Sequence, residues 1–338
     1  MPDIRRSLLQ QWVASTLNEA ELELEPVSGD ASFRRYFRWP AQPSLIAVDA
    51  PIEHENIPAF EQTTELLTQA GVQVPVIKAV NKAQGFMLLS DFGDQLLLPQ
   101  LNPTSADALY SAAIDSLIQI QANSSAAEAL LPLYGEEKLW DEMDLFRDWL
   151  AIRHLGLEQT IEDFQMFDRW FIELRDRAYH QPRTLVHRDY HSRNLMLLPE
   201  QQIGIIDHQD AVWGPYSYDM VSLLKDCYID WPRAKQLEWV DYYAQRAKKS
   251  GIVLPEREQL IKDFDWMGMQ RHLKAAGIFA RLLHRDNKDQ YIQDIPRTLA
   301  YIVQMLAMYP EFSEIREWFE QRLMPLFKQA DLAGYELS

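Results

Sequence analysis

Cysteine is nearly absent from this chain: Cys227 is the only one in 338 residues. An intrachain disulfide is therefore excluded, a reducing compartment such as the cytoplasm is expected, and Cys227 itself is expected to pack as a small apolar side chain. Positive charge is also scarce, with 33 Lys and Arg against 50 Asp and Glu for a formal charge of −17. Nucleic-acid backbones and anionic membranes both reward basic surfaces, so neither is an expected partner, although a local cationic pocket stays open. No apolar run is long enough to span a bilayer. Residues 1–17 carry Arg5 and Arg6 but interleave Gln and Trp with their apolar positions, which reads as an amphipathic helix and not as a secretory leader. There is no internal repeat and no low-complexity linker. Hydrophobic residues are abundant, at 47%, enough to bury a large core over a length that suits two lobes.

The pattern along the chain changes once. Residues 22–27, 33–39 and 45–48 read as strands separated by turns, residues 57–70 as a helix stopped by Gly71, and residues 75–80 and 85–90 as two more strands. From Ser105 onward the periodicity is mostly helical. The interruption is a short hairpin: Thr184-Leu185-Val186 enters a polar loop, Leu195-Met196-Leu197-Leu198 follows, Pro199-Glu200-Gln201-Gln202 turns, and Ile203-Gly204-Ile205-Ile206 returns to Asp207.

The loop in that hairpin carries the chemistry. It reads His187-Arg188-Asp189-Tyr190-His191-Ser192-Arg193-Asn194. Phosphoryl transfer needs a carboxylate to accept the proton of the attacking hydroxyl, an amide oxygen five residues later for Mg²⁺, and a second carboxylate at the end of the next strand. Asp189, Asn194 and Asp207 meet those requirements in order, with ATP and Mg²⁺ as the implied cofactors. His187 and Arg188 are expected to brace the loop.

These residues, together with Trp213-Gly214-Pro215-Tyr216-Ser217-Tyr218-Asp219-Met220, resemble the aminoglycoside phosphotransferase and choline kinase superfamily. Protein kinases share only the first part, since neither Asp-Phe-Gly after Ile206 nor a later Ala-Pro-Glu is present. The phrases Ser28-Gly29-Asp30-Ala31-Ser32-Phe33-Arg34-Arg35-Tyr36 and Ile206-Asp207-His208-Gln209-Asp210-Ala211 are similar to those of bacterial anomeric sugar kinases acting on N-acetylmuramate and N-acetylglucosamine in cell-wall recycling. The resemblance implies an α+β, protein-kinase-like two-lobed fold, with a small antiparallel β lobe over residues 1–93 and a larger, mainly helical lobe over 94–338. It also implies an acceptor that is a small sugar, and a monomer is expected. An aminoglycoside or other small-molecule phosphotransferase is the alternative enzyme. A nucleotide-binding pseudokinase scaffold is the alternative from another class.

The nucleotide would lie under the loop Ser28, Gly29, Asp30 and Ser32, whose small side chains let backbone N–H groups approach phosphate. One expected residue is missing. The third strand of a kinase supplies a phosphate-binding Lys, but here Asp49-Ala50-Pro51 follows residues 45–48. Arg34 or Arg35 is the candidate replacement, because a guanidinium binds phosphate oxygens in bidentate fashion. Glu61 and Glu65 lie on the helix that would orient such a cation, with neither assigned. For the acceptor, residues 136–149 offer Glu142 among aromatics and carboxylates, and residues 266–274 offer Trp266 and Arg271. Asp210 is close enough in sequence to Asp207 to help with metal or sugar hydroxyls.

Overall fold

The computed structural model describes residues 3–27 and 33–332. In chain order the elements are α1 (Ile4–Leu17), β1 (Glu25–Pro26), β2 (Arg35–Arg38), β3 (Leu45–Asp49), α2 (Ile57–Gln69), β4 (Ile77–Asn81), β5 (Phe86–Ser90) and α3 (Ala106–Ala122). There follow α4 (Ala127–Leu130), α5 (Glu136–Leu145), α6 (Ile161–Tyr179), β6 (Arg183–Val186), β7 (Leu195–Leu197), β8 (Ile203–Ile205) and β9 (Val212–Pro215). The chain continues through α7 (Tyr218–Leu224), α8 (Arg233–Lys249), α9 (Arg257–Asp286), α10 (Ile295–Met308), α11 (Ser313–Arg322) and α12 (Met324–Gln329). No helix among the described residues is long and apolar enough to cross a membrane.

Contacts gather into two compact units, one of residues 1–126 with 193–211 and one of residues 127–192 with 212–338. The boundary expected near residue 93 thus falls inside the first unit. The reason is a set of backbone hydrogen bonds that tie the β7–β8 hairpin to that unit: Leu97 N to Leu195 O at 2.8 Å, Leu197 N to Gln95 O at 2.7 Å and Ile205 N to Gln73 O at 2.8 Å.

The first unit is built on an antiparallel sheet of order β1-β2-β3-β5-β4. Strand alternation sorts its side chains to two faces. Phe37, Ala47, Phe86 and Leu88 pack with Leu9 and Val13 of α1, while Tyr36, Ile46, Val48, Met87 and Leu89 pack with Ile57 and Phe60 of α2. The helices start where the sequence provides caps. Asp3 accepts from the Arg6 N–H at the head of α1, and Asn56 accepts from the Ala59 N–H at the head of α2, with Pro58 in its first turn.

The second unit surrounds α9, a helix of 30 residues with a continuous buried stretch from Asp263 to Lys274. Its core holds Phe146, Phe167, Trp170, Phe171, Met269 and Leu273. At Gly277 the helix approaches the backbone where α5 passes into a wider π-helical turn (Phe146–His154). A Cβ there would sit 2.3 Å from the Leu145 carbonyl carbon and 2.4 Å from the Phe146 nitrogen, so only glycine permits the crossing. β6 pairs antiparallel with β9, Val186 opposite Val212, which carries the chain into the loop that begins at His187. β9 was not anticipated; its proline, Pro215, is the last residue of the strand, where proline is tolerated.

Candidate active site

In the second unit, the loop after β6 is held by carboxylates that bond to its backbone. Asp219, the second residue of α7, accepts the N–H of His187 at 2.7 Å and of Arg188 at 3.0 Å. Arg188 has a φ of +77°, a conformation that two amide bonds to one carboxylate stabilise. Further along, Asp226 accepts the Ser192 N–H at 3.0 Å and the Ser192 hydroxyl, and its other oxygen takes the Tyr228 N–H at 3.0 Å. His187 Nδ1 accepts the Asp189 N–H at 3.2 Å. The bracing role expected of His187 and Arg188 therefore has a physical basis, and Asp189 is presented by a loop fixed on both sides.

Charge around Asp189 is arranged by α5 and α9. Buried Glu142 accepts from Arg188 Nη2 and from the Tyr134 hydroxyl, and forms an ion pair with Lys274 at 3.3 Å. Lys274 also donates to the Tyr218 hydroxyl at 2.9 Å. Burial would raise the Asp189 carboxyl, but Lys274, Arg188 and Arg271 outweigh it and hold it well below the usual carboxylate range. Asp189 is therefore ionised at neutral pH. Asp219 goes the other way: burial pushes it up to about 6, although His187 and the two backbone N–H groups oppose the shift.

In the first unit, Asp207 follows β8 with a φ of +63°, and its neighbour His208 anchors the turn. The buried His208 ring stacks on Phe60 at 4.5 Å and its Nε2 is 2.7 Å from the Thr64 hydroxyl, so α2 fixes the segment that carries Asp207. The Asn194 amide nitrogen lies 3.5 Å from Asp207 Oδ2, and the Ile206 N–H bonds to the Asn194 carbonyl at 3.1 Å. Arg34 joins this group. It is buried, with Nε 3.0 Å from Glu55 Oε2 and Nη2 2.8 Å from Asp207 Oδ1, and it donates to the Gln209 side-chain oxygen.

Arg34 and Arg35, adjacent in sequence, have different fates. Arg35 faces α1 and pairs with Asp49, Nε to Oδ2 at 3.0 Å, and with Asp3. Asp49 is fully buried and is also bound by Arg5 Nε at 2.9 Å. The acidic residue at the end of β3 is thus the counterion of Arg5 and Arg35, and Arg35 is committed there. Arg34 instead pairs with Glu55, two residues ahead of α2. Glu61 and Glu65 do not share it: Glu61 pairs with Lys82 at 2.7 Å, and Glu65 accepts from Gln69.

The remaining expected residues separate. Ser28, Gly29, Asp30 and Ser32 lie outside the described residues. Asp210 is exposed and accepts from Gln209 Nε2 at 3.3 Å. Trp266, expected at the acceptor, packs in the aromatic core instead, its ring 4.5 Å from Phe312 and 6.1 Å from Tyr309, because the apolar face of α9 turns inward there. Glu142, expected to meet sugar hydroxyls, is consumed by Arg188, Lys274 and Tyr134 and so positions the loop. Arg271 is buried beside Cys227, Nη1 to Sγ at 3.5 Å. Sequence reasoning missed Glu55, Gln209, His208 and Asp226 as members of these clusters. Asp226 follows Lys225 just past α7, so in sequence it reads as one half of an ordinary charged pair.

An antiparallel five-stranded sheet, a mainly helical remainder and a braced His-Arg-Asp loop define a protein-kinase-like, two-lobed phosphotransferase. The chain belongs to the phosphotransferase enzyme family, whose model matches residues 23–260. A relative from Pseudomonas aeruginosa named N-acetylmuramate/N-acetylglucosamine kinase is 42% identical, covering 93% of this chain and 96% of its own. A relative of the same name from Neisseria meningitidis is 35% identical, covering 92% and 94%. Among solved structures, a choline/ethanolamine kinase family protein from Mesorhizobium loti has a TM-score of 0.64 at 15% identity, covering 93% of this chain and 100% of that one. An ADP-bound aminoglycoside phosphotransferase has a TM-score of 0.59 at 14% identity, covering 90% and 99%.

Proposed function

We propose that this protein transfers the γ-phosphoryl group of ATP to the anomeric hydroxyl of an N-acetylated amino sugar, N-acetylmuramate or N-acetylglucosamine, in cytoplasmic recycling of cell-wall sugars. The observation that carries the reading is identity of 35–42% to curated kinases of that name over more than nine-tenths of the chain. Asp189 orients the sugar hydroxyl and takes its proton as the new O–P bond forms and the bond from the γ-phosphorus to the bridging oxygen breaks, releasing ADP. Lys274 and its cationic neighbours keep Asp189 ionised for this role. The proton leaves late in such reactions, so a strongly basic carboxylate is not required.

Asn194 and Asp207 offer an amide oxygen and a carboxylate, hard oxygen donors that suit Mg²⁺ when nucleotide phosphates and water complete the shell. Bound there, Mg²⁺ would neutralise charge on the β- and γ-phosphates. Arg34, steadied by Glu55, is the cation for phosphate oxygens in place of the missing lysine.

The test is ATP consumption by the purified protein with Mg²⁺, offered N-acetylmuramate, N-acetylglucosamine, kanamycin and choline in parallel. Turnover of one or both amino sugars is expected, falling about a thousandfold in Asp189→Ala. Turnover of kanamycin or choline alone would overturn the acceptor, and no turnover with any acceptor would favour a scaffold.

A further inference from the structure

Four cations among the described residues are buried: Arg34, Lys225, Arg271 and Lys274. Three of them have a carboxylate close by. Arg34 pairs with Glu55 and Asp207, Lys225 with Asp265 at 2.7 Å, and Lys274 with Glu142 at 3.3 Å. Arg271 has no carboxylate within ion-pairing distance among the described residues. Its one hydrogen bond goes to the Cys227 sulfur at 3.5 Å, a weak acceptor, and its buried Nε has no partner. A guanidinium enclosed to 6% exposure with these donors unused is costly in hydrogen bonds, although Asp226 and Asp189 favour its charge from beyond pairing distance.

Its position gives that cost a use. Cys227 follows Asp226, the carboxylate that fixes Ser192 in the catalytic loop, so Arg271 lies against that end of the loop. Arg271 also contributes to the field that holds Asp189 ionised, and Lys274 lies one helical turn further along α9. Charges facing Arg271 are those of Asp189 and Asp226, with Tyr218 and Cys227 beside them. Both carboxylates are engaged elsewhere, Asp226 by the loop backbone and Asp189 by the reaction. Arg188 and Lys274 are taken by Glu142, so Arg271 is the cation of this group whose donors are least used, with Nε unpartnered and Nη1 on the Cys227 sulfur alone.

The two sugars of the proposed function differ in one charged group: N-acetylmuramate carries a lactyl carboxylate on its 3-oxygen, and N-acetylglucosamine carries a hydroxyl. We infer that Arg271 receives the acceptor's carboxylate and thereby sets the preference for N-acetylmuramate over N-acetylglucosamine. The assignment rests on the sugar-kinase reading. It makes Arg271 a binding residue for one substrate, in contrast to Asp189, which serves both.

The experiment is steady-state kinetics of wild type, Arg271→Met and Arg271→Lys with each sugar, with thermal melting of all three proteins. In Arg271→Met the KM for N-acetylmuramate is expected to rise about tenfold more than that for N-acetylglucosamine, the loss of one charge-assisted hydrogen bond. Arg271→Lys should recover part of the difference. Added N-acetylmuramate should raise the melting temperature of Arg271→Met less than that of wild type. Equal losses on both sugars would overturn the assignment by placing Arg271 on the phosphoryl group or in support of the loop. No change in kinetics on either sugar would overturn it as well. Wild-type protein inactive on both sugars would instead defeat the sugar-kinase reading, and this assignment with it.

Discussion

The loop that carries Asp189 and the group that carries Asp207 are held in opposite ways. Around Asp189 the supports are buried carboxylates bonded to backbone N–H groups, Asp219 to residues 187 and 188 and Asp226 to residues 192 and 228. Around Asp207 the supports are side chains bonded to one another: Arg34, Glu55, Gln209 and Asn194. Backbone bonds set the path of the chain and cannot be exchanged without unfolding the loop. Side-chain ion pairs can trade one oxygen for another, and a nucleotide presents oxygens of the same kind. The rigid cluster thus suits the atom that must be aimed, and the exchangeable cluster suits the group that must be bound and released.

The sharpest way to break this contrast is to remove a backbone-directed carboxylate. Asp219→Ala leaves two buried N–H groups without acceptors, a cost of roughly 1–3 kcal/mol each, and frees Arg188 from its positive φ. Turnover is expected to fall about a hundredfold or more as Asp189 loses its aim, together with a clear drop in melting temperature. Asp219→Asn retains one good acceptor and should fall between. Wild-type turnover in Asp219→Ala would show that the loop needs no such support.

The next effect tests the exchangeable cluster with a built-in control. Arg34→Ala should lower kcat/KM for ATP by about a hundredfold, comparable to the loss of one preorganised donor to developing charge. Arg35→Ala should change it less than about threefold, because Arg35 serves Asp49, which keeps Arg5. Similar losses in the two variants would mean that the phosphate cation is not set by which sheet face a residue occupies.

That choice between adjacent arginines shows what was legible and what was not. Asp189, Asn194 and Asp207 could be found because loop, strand, turn and strand are consecutive, so their spacing in sequence dictates their order in the hairpin. The five strands of the sheet could be read from alternation for the same local reason. Alternation also contained the answer for Arg34: Tyr36 and Val48 face α2, so residue 34 shares their face and residue 35 does not. What alternation leaves out is the identity of the opposite face's counterion, and Asp49 read as a missing lysine when it is the partner of Arg5 and Arg35. Long-range pairs left no local trace. Glu142 and Lys274 are 132 residues apart, and an aromatic on an amphipathic helix, such as Trp266, reveals that it is buried without revealing against what. Gly277 is similar: its need for close backbone approach appears only once α9 meets the end of α5.

The smallest effect separates activity from stability along the pH axis. With its pKa raised to about 6, Asp219 is ionised above that pH and accepts both loop N–H groups, and below it a proton occupies one oxygen. Turnover should therefore decline below about pH 6, approaching tenfold per unit, while Asp189, held well below the usual range, stays ionised and adds no limb of its own. The linkage for stability has the opposite sign. A carboxyl whose folded value lies above its unfolded value of 3.8 contributes stability that is present at low pH and lost as pH rises through about 6. Asp265, lowered to about 2 because Lys225 and Arg233 outweigh burial, keeps its pairs throughout that interval. Between pH 6 and 4 the melting temperature should hold or rise while turnover falls, measurable by circular dichroism and initial rates on the same samples. Parallel loss of both would assign the acidic limb to unfolding and not to the protonation of one loop-bracing carboxylate.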